Sequence, residues 1–130
     1  MDMIEPFAWE TTTKSWGDEI LVAHAPGLYT GKLLRRYASE PYHRAGLQYH
    51  ERKDETFVLV EGEVMVYYVW PAGILRRHHM RPGESFRVPP GAVHSVETIT
   101  DSLMFEASTP EFEDRVRVED QYDIRTARED

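Results

Sequence analysis

The chain has 130 residues, of which 41% are hydrophobic and 12% aromatic, enough apolar material for the core of one ordinary domain. Its formal net charge of -8 argues against nucleic-acid binding, which needs a basic surface, although a local group of arginines could still bind a small anion. It contains no cysteine, which excludes disulfides and thiolate chemistry, so any metal must be held by His, carboxylate, amide or water ligands.

The first residues are not expected to form a targeting segment. Residues 1–19 lack a basic start followed by an apolar run, so they do not resemble a signal peptide. No stretch approaches the ~18 apolar residues of a membrane-spanning helix. A cytoplasmic location is therefore the default expectation.

Short β-rich runs separated by turn residues follow along the chain. Gly and Pro break them at intervals of about ten residues, a spacing typical of a β-barrel or β-sandwich. The predicted strands are Thr56–Val60, Val64–Trp70, Ser85–Val88, Val93–Ile99 and, more weakly, Leu103–Ala107. No window predicts a long amphipathic helix.

The whole chain, 1–130, is expected to be one domain with a core at about 14–110. The charged segment at about 111–130 is predicted to be a tail that crosses the surface and then frays.

Four residues form a candidate metal site. Gln48 and His50 are two residues apart, so both side chains point to one face of a strand. Glu55 begins the next predicted strand, and His94 lies on a later one. A barrel brings such inward faces together. We therefore predict that Gln48, His50, Glu55 and His94 bind one divalent metal ion.

These residues belong to two spaced motifs. Residues 46–62 contain Gln48, His50, Glu55 and Gly62, and residues 83–94 contain Gly83, Pro89, Gly91 and His94. In both spacings the chain resembles the cupin superfamily. The resemblance implies an all-β fold, namely a single-domain cupin with a double-stranded β-helix, or jelly-roll, barrel. It also implies a homodimer.

Gln48 is a departure, because most cupins have His at this position. A Gln carbonyl oxygen can still ligate a metal, as a weaker and harder donor than imidazole. The group related to type II mannose-6-phosphate isomerases places Gln there, and the likeness to it covers residues 14–122. It is carried by Lys14-Ser15-Trp16-Gly17, Gly31-Lys32-Leu33, Ser108-Thr109-Pro110 and residues 115–122, whereas the family's closing Tyr-Gly-Arg is altered to Tyr122-Asp123-Ile124-Arg125.

The alternative is a cupin that binds no metal, in which His50 and His94 are hydrogen-bonded core residues. Burying Glu55 without a cation is costly, which favours the metal. Zinc is the expected ion, with iron, manganese or nickel as alternatives.

Lys53 and Arg35 are the candidate catalytic or substrate-binding residues. Lys53 lies near the ligand strand, at a position that is basic in the resembled family. Arg35 and Arg36 alternate sides of a strand, so one of them can enter the barrel, and Arg35 is named as the candidate. Arg117 is a further source of phosphate contacts. His24 and His43 are interpreted as loop residues, and His78-His79 as a solvated strand end.

The resemblance implies a metal-dependent isomerase of a sugar or sugar phosphate, with a small molecule as its ligand. Three alternatives stay open. His50, Glu55 and His94 are also a ligand set that suits non-haem Fe(II) in a dioxygenase. A metal-assisted cyclase or lyase of a biosynthetic pathway, or a non-catalytic sugar-binding cupin, fits the same residues.

Overall fold

The structure is a computed structural model, and it describes residues 4–38, 44–110 and 114–130. Within these ranges the chain forms strands and two short 3-10 helices, and none of the helices is long and apolar enough to cross a membrane. The strands are β1 Glu10–Lys14, β2 Gly17–Ala25, β3 Tyr29–Arg36, β4 Gln48–His50, β5 Glu55–Glu61, β6 Val64–Val69, β7 Leu75–Met80, β8 Ser85–Val88, β9 His94–Thr98, β10 Ser102–Ser108, β11 Arg115–Arg117 and β12 Arg128–Glu129. The 3-10 helices are Glu119–Gln121 and Ile124–Thr126.

The strands make two six-stranded sheets. The first has the order β1-β2-β3-β10-β5-β8, and the second has the order β11-β4-β9-β6-β7-β12. All pairings are antiparallel except that of β12 with β7, which is parallel. Several neighbours, such as β3 with β10 and β4 with β9, are far apart in sequence, as in a jelly roll. The predicted all-β, jelly-roll architecture is confirmed.

The main core lies between the sheets and follows the period-2 rule. On β5, Glu55, Phe57 and Leu59 are buried, whereas the residues between them are only partly buried. Leu59, Val64 and Met104 are at most 1% exposed, and they pack into one cluster from both sheets. Inward side chains of the two sheets therefore fill one end of the barrel, and the polar cavity described below occupies the other part.

A second cluster orders the segment after residue 113. Val118 packs against Leu47, Tyr67 and Leu75, and the backbone N–H of Val118 donates to Leu47 O at 2.9 Å. β11 pairs with β4, and β12 pairs with β7. Residues 114–130 are thus paired with strands of the second sheet, where the sequence predicted a tail that crosses the surface and frays. Apolar residues alternate with charged ones there, and that alternation gives the segment one face to bury.

The turn before β6 requires glycine. Gly62 has φ +92°, and a Cβ at that position would collide with Asp101 O and Ser102 Oγ. A left-handed backbone and a neighbouring chain segment both exclude a side chain here. This turn joins β5, which carries Glu55, to β6 of the opposite sheet.

Candidate metal centre and cavity

The predicted metal ligands converge from three strands. β4 carries Gln48 and His50, β5 carries Glu55, and β9 carries His94. His50, Glu55 and His94 are 2–3% exposed, and Gln48 is 8% exposed and paired in register with His94. β4 and β9 belong to the second sheet and β5 to the first, so the site spans the space between the sheets.

The geometry of three of these side chains fits a metal ion. Glu55 Oε1 lies 3.3 Å from Nε2 of His50 and 3.3 Å from Nε2 of His94. The three ligand atoms lie within 4.8 Å of one another. Atoms about 2.0–2.2 Å from a common tetrahedral ion are separated by roughly 3–3.5 Å, which these distances approach. Gln48 lines the same cavity, and its role as a fourth ligand stays a prediction.

The second ring nitrogen of each histidine is bound outside the site. His94 Nδ1 lies 3.0 Å from Ala92 O, and His50 Nδ1 lies 3.0 Å from Asp114 Oδ1. Both partners are oxygens, so Nδ1 of each ring is placed to donate a hydrogen bond to them. The Nε2 lone pairs then face the cavity, which is the arrangement that a metal-binding histidine requires.

Asp114 is a functional residue that the sequence did not reveal. Its Oδ2 accepts hydrogen bonds from the backbone N–H groups of Arg52 and Lys53, both at 2.8 Å, while Oδ1 contacts His50. Burial acts to raise the pKa of Asp114, but these backbone donors and the His50 ring outweigh it and hold the pKa below its usual value. The carboxylate thus stays ionised and fixes both the His50 ring and the following loop.

Lys53, the candidate near the ligand strand, lines the cavity. It is 7% exposed, and its Nζ lies 3.0 Å from Glu55 Oε2 and 3.3 Å from Glu106 Oε2. Burial favours a lower pKa, but the two carboxylates outweigh it and raise the pKa of Lys53. Lys53 is therefore a buried ammonium held between Glu55, a candidate metal ligand, and a second carboxylate.

That second carboxylate, Glu106 on β10, was also not anticipated. Glu106 is 6% exposed and lines the cavity, and its Oε2 makes no hydrogen bond of good geometry although Lys53 Nζ is within ion-pair distance. Burial raises the pKa of Glu106. The sequence held one signal: Glu106 is a lone charge at an inward position of an apolar run, in register with Lys32 of β3.

Arg36, and not Arg35, enters the barrel. Arg35 is exposed on the outer face of β3, so the prediction that Arg35 reaches the site is wrong. Arg36 is 6% exposed; its Nε donates to Thr98 Oγ1 at 2.9 Å, and its guanidinium lies 4.6 Å from the centroid of Trp16. Burial lowers the pKa of Arg36 to about 10. The strand register decided between the two, because adjacent residues face opposite sides.

The cavity around these groups has a volume of about 490 Å³ and carries an excess of positive charge. Its carboxylates are Glu19, Glu55 and Glu106, and its cations are Lys14, Lys32, Arg36, Arg44, Lys53, Arg115 and Arg117. The protein as a whole has a net charge of -8, so the cationic lining is a local feature. Such a cavity concentrates small anions.

Of the remaining histidines, the three that the structure describes lie away from this cavity. His78 and His79 are on β7, where they contact Glu84 and Glu63, respectively. His24 is on β2 and not in a loop. His43 lies outside the described residues.

Comparisons with known proteins agree with this architecture. A family model described as cupin domain matches residues 36–107. No curated protein sequence matches the chain significantly.

Among solved structures, a capsular polysaccharide assembling protein, CapF of Staphylococcus aureus, superimposes with a TM-score of 0.75 and 15% identity over 88% of this chain and 32% of its own. Oxalate decarboxylase of Bacillus subtilis superimposes with a TM-score of 0.70 and 15% identity, over 85% of this chain and 30% of its own. KdgF of a Halomonas species superimposes with a TM-score of 0.63 and 24% identity, over 83% of this chain and 92% of its own. The chain thus spans about a third of CapF and of oxalate decarboxylase.

Proposed function

The chain belongs to the cupin domain family, and we propose that it is a metal-dependent isomerase of a small anionic sugar, such as a sugar phosphate. One observation carries the reaction type: Glu106, a buried cavity carboxylate with an oxygen free of hydrogen bonds, is linked through Lys53 to the metal-ligand carboxylate Glu55. An aldose–ketose interconversion needs such a base beside a metal ion.

His50, Glu55 and His94, with Gln48 as the fourth ligand, would hold one divalent ion, and zinc is the ion that we propose. A bound divalent ion polarises a substrate carbonyl and favours the loss of a proton from the adjacent carbon. The residues around it have to bind the sugar, accept that proton and return it.

Glu106 is our candidate for the proton transfer. Its carboxylate would accept the proton from the carbon beside the carbonyl and return it to the former carbonyl carbon, while a hydroxyl proton moves between the two oxygens. Atoms balance in this step without a co-reactant. Its raised pKa suits the task, since a base works best with a pKa near the working pH. Lys53 would position the carboxylate through their 3.3 Å ion pair.

Arg36 is our candidate for anion recognition. Among the described residues no carboxylate forms an ion pair with this buried guanidinium, although Thr98 and Val96 accept hydrogen bonds from it. A buried cation without a counter-ion is costly, so an anionic ligand group would offset that cost. Arg115 and Arg117 lie at the same cavity and would add to the attraction.

The proposed subtype is that of the mannose-6-phosphate isomerases, with the chain acting as a homodimer. Gln48 and the spaced motifs of residues 14–122 support it. The names of two structural neighbours, a capsular polysaccharide assembling protein and oxalate decarboxylase, are in keeping with a carbohydrate or a small anion as the ligand.

The test is conversion of a panel of hexose and pentose phosphates by zinc-loaded protein in deuterated water, followed by NMR. Interconversion with deuterium entering at the carbon beside the carbonyl supports the proposal, as does internal proton transfer. Glu106→Gln should keep the metal and lower kcat by about 10²–10⁴-fold, the usual range for a general base. Glu19→Gln, which removes a cavity carboxylate that is paired with Lys32, is the matched control. No conversion of any sugar phosphate would reject the isomerase.

A dioxygenase is the second candidate, because two histidines and one carboxylate are the ligands that converge. Oxygen uptake by Fe(II)-loaded protein, together with no conversion across the sugar panel, would favour it over the isomerase.

A further inference from the structure

The motif at residues 14–17 forms the turn between β1 and β2, and residues 14–16 line the cavity. Two backbone contacts fix this turn against β3. The N–H of Tyr37 donates to Trp16 O at 2.9 Å, and Gly17, with φ +145°, packs so closely on Arg35 O that a Cβ at this position would collide with it. The position of Trp16 relative to the end of β3 is therefore set by the backbone.

The ring of Trp16 lies against the side chain of Arg36. The guanidinium carbon is 4.6 Å from the ring centroid, which is within the range of a cation–π contact. Trp16 is partly buried and packs on the main core cluster, and Arg36 is only 6% exposed. A cation–π contact is strongest where both groups are shielded from water. The indole thus stabilises a buried cation that pairs with no carboxylate among the described residues.

Three contacts together fix the plane of the Arg36 guanidinium. Besides the indole over its face, Nε donates to Thr98 Oγ1 at 2.9 Å, and Nη2 lies 3.5 Å from Val96 O. Nη1 makes no hydrogen bond to a described residue, so it is the nitrogen left for a ligand. A donor that is already held in one orientation loses less conformational entropy when it binds an anion.

We propose that Trp16 is a positioning residue, which holds Arg36 as a preformed anion site and so makes the cavity select charged over neutral sugars. Its effect passes through the guanidinium, whose ligand is the anionic group of the sugar. A neutral sugar at the same metal site would not depend on the indole. The inference rests on the proposed sugar-phosphate ligand, and it gives the motif at residues 14–17 a role in specificity.

Binding of fructose 6-phosphate and of fructose to zinc-loaded protein, measured by calorimetry, tests this selectivity. Trp16→Ala should weaken fructose 6-phosphate binding by about 5–30-fold, the range expected for a shielded cation–π contact, and leave fructose unchanged. Trp16→Phe keeps an aromatic face and should recover most of the loss. Trp70→Ala, at a tryptophan that is 71% exposed, is the matched control. Equal weakening of both ligands would mean that the indole contacts the sugar itself and would overturn the proposal.

A double-mutant cycle shows whether the indole acts through Arg36. In an Arg36→Gln background, Trp16→Ala should have little further effect on fructose 6-phosphate binding, because the group that it positions is gone. Arg36→Lys keeps the charge and replaces Arg36→Gln if the latter fails to fold. Fully additive losses from the two substitutions would contradict a positioning role.

The indole also provides a signal of its own. Trp9 and Trp70 are 62% and 71% exposed, and replacing both with Phe leaves Trp16 as the one tryptophan of the chain. Inorganic phosphate should then change the fluorescence in a saturable titration, since an anion on Arg36 offsets the charge on the face of the ring. The same change in the Arg36→Gln variant, or no change with Arg36 present, would place the anion elsewhere and overturn the inference.

Failure of this inference and failure of the proposed reaction are distinguishable. Conversion of a sugar phosphate, with equal effects of Trp16→Ala on fructose and on fructose 6-phosphate, would keep the isomerase and reject the positioning role. A selective loss for fructose 6-phosphate, without conversion of any sugar phosphate, would keep the anion site and reject the isomerase.

Discussion

At the level of single residues, contacts outside the cavity set the chemistry inside it. His50 and His94 each direct Nε2 inward because Nδ1 is bound to Asp114 and to Ala92 O, respectively. Glu106 Oε2 makes no hydrogen bond of good geometry, and its ion-pair partner Lys53 is shared with Glu55. The orientation of the candidate ligands thus depends on the groups that hydrogen-bond to them from outside the cavity.

Asp114→Asn should weaken zinc binding by about 10–100-fold, because an amide orients the His50 ring less well and supports its basicity less. Competition with a chromophoric chelator measures the affinity. Asp54→Asn is the control, since Asp54 lies in the same loop region but pairs outward with Arg87 at 2.7 Å. Equal affinities in the two variants would remove Asp114 from the site.

Glu119 gives a pH-dependent contribution to stability. Hydrogen bonds from the Arg44 guanidinium and, at 2.5 Å, from the Leu47 backbone N–H lower the pKa of Glu119 from its ordinary value of 4.5. A lowered folded-state pKa stabilises the fold above the ordinary pKa, and this stabilisation is lost as the pH falls through the lower value.

In Glu119→Gln we therefore expect a loss of unfolding free energy at pH 7 that shrinks toward acid pH. Its size should be at most ~1 kcal/mol, since the side chain is 43% exposed and solvent screens the pair. Urea unfolding at several pH values measures it, with the exposed Asp120→Asn of the same 3-10 turn as control. A pH-independent difference would contradict the assignment.

At the level of elements, turns between strands of different sheets hold the ligand strands in place. Gly62 lies in the turn between β5 and β6, where it approaches the backbone of Asp101 and Ser102 closely. Gly83, between β7 and β8, has nearly the same backbone angle, with φ +93°, but a Cβ there would meet nothing within 4 Å. The two glycines therefore differ in crowding and share the same conformation.

Gly62→Ala should destabilise the protein by about 3 kcal/mol or more, against about 1–2 kcal/mol for Gly83→Ala. In both variants the new Cβ is strained by the left-handed backbone. Only at position 62 does the Cβ also collide with backbone atoms, which cannot move freely. Denaturant midpoints of the two variants give the comparison. If both lose the same free energy, crowding at Gly62 is not significant.

At the level of the whole molecule, the candidate metal site joins the two sheets. Glu55 comes from the first sheet, and His50 and His94 come from the second. An ion bound only by the folded chain would therefore stabilise the barrel as a unit.

Metal removal should lower Tm by several degrees, since an ion at ~100 times its Kd supplies about 2.7 kcal/mol. Protein purified without chelator should carry about one divalent ion per chain, lost in His50→Ala and His94→Ala. Calorimetry with and without chelator measures the shift, and the two alanine variants, which lack the site, should show none. Wild-type protein with an unchanged Tm after chelation would contradict an integral metal.

Much of the fold was determined by local patterns in the sequence. Gly and Pro breaks, period-2 runs and the two spaced motifs predicted the all-β barrel, because turn chemistry and strand alternation act over a few residues. The predicted strand Val64–Trp70, for example, corresponds to β6, Val64–Val69. The same spacing predicted that His50, Glu55 and His94 converge. Short polar strands such as β1 and β7 were not identified, since threonine, arginine and histidine runs carry no apolar alternation.

Only the tertiary structure decided what surrounds the ligands. Asp114 and Glu106 are far from the motifs in sequence, and their positions follow from pairing of β11 with β4 and of β10 with β3 and β5. The choice of Arg36 over Arg35 depended on strand register, which a one-residue shift reverses. Local sequence sets which residues are two apart on one strand; the contacts between distant strands set which charges share the cavity.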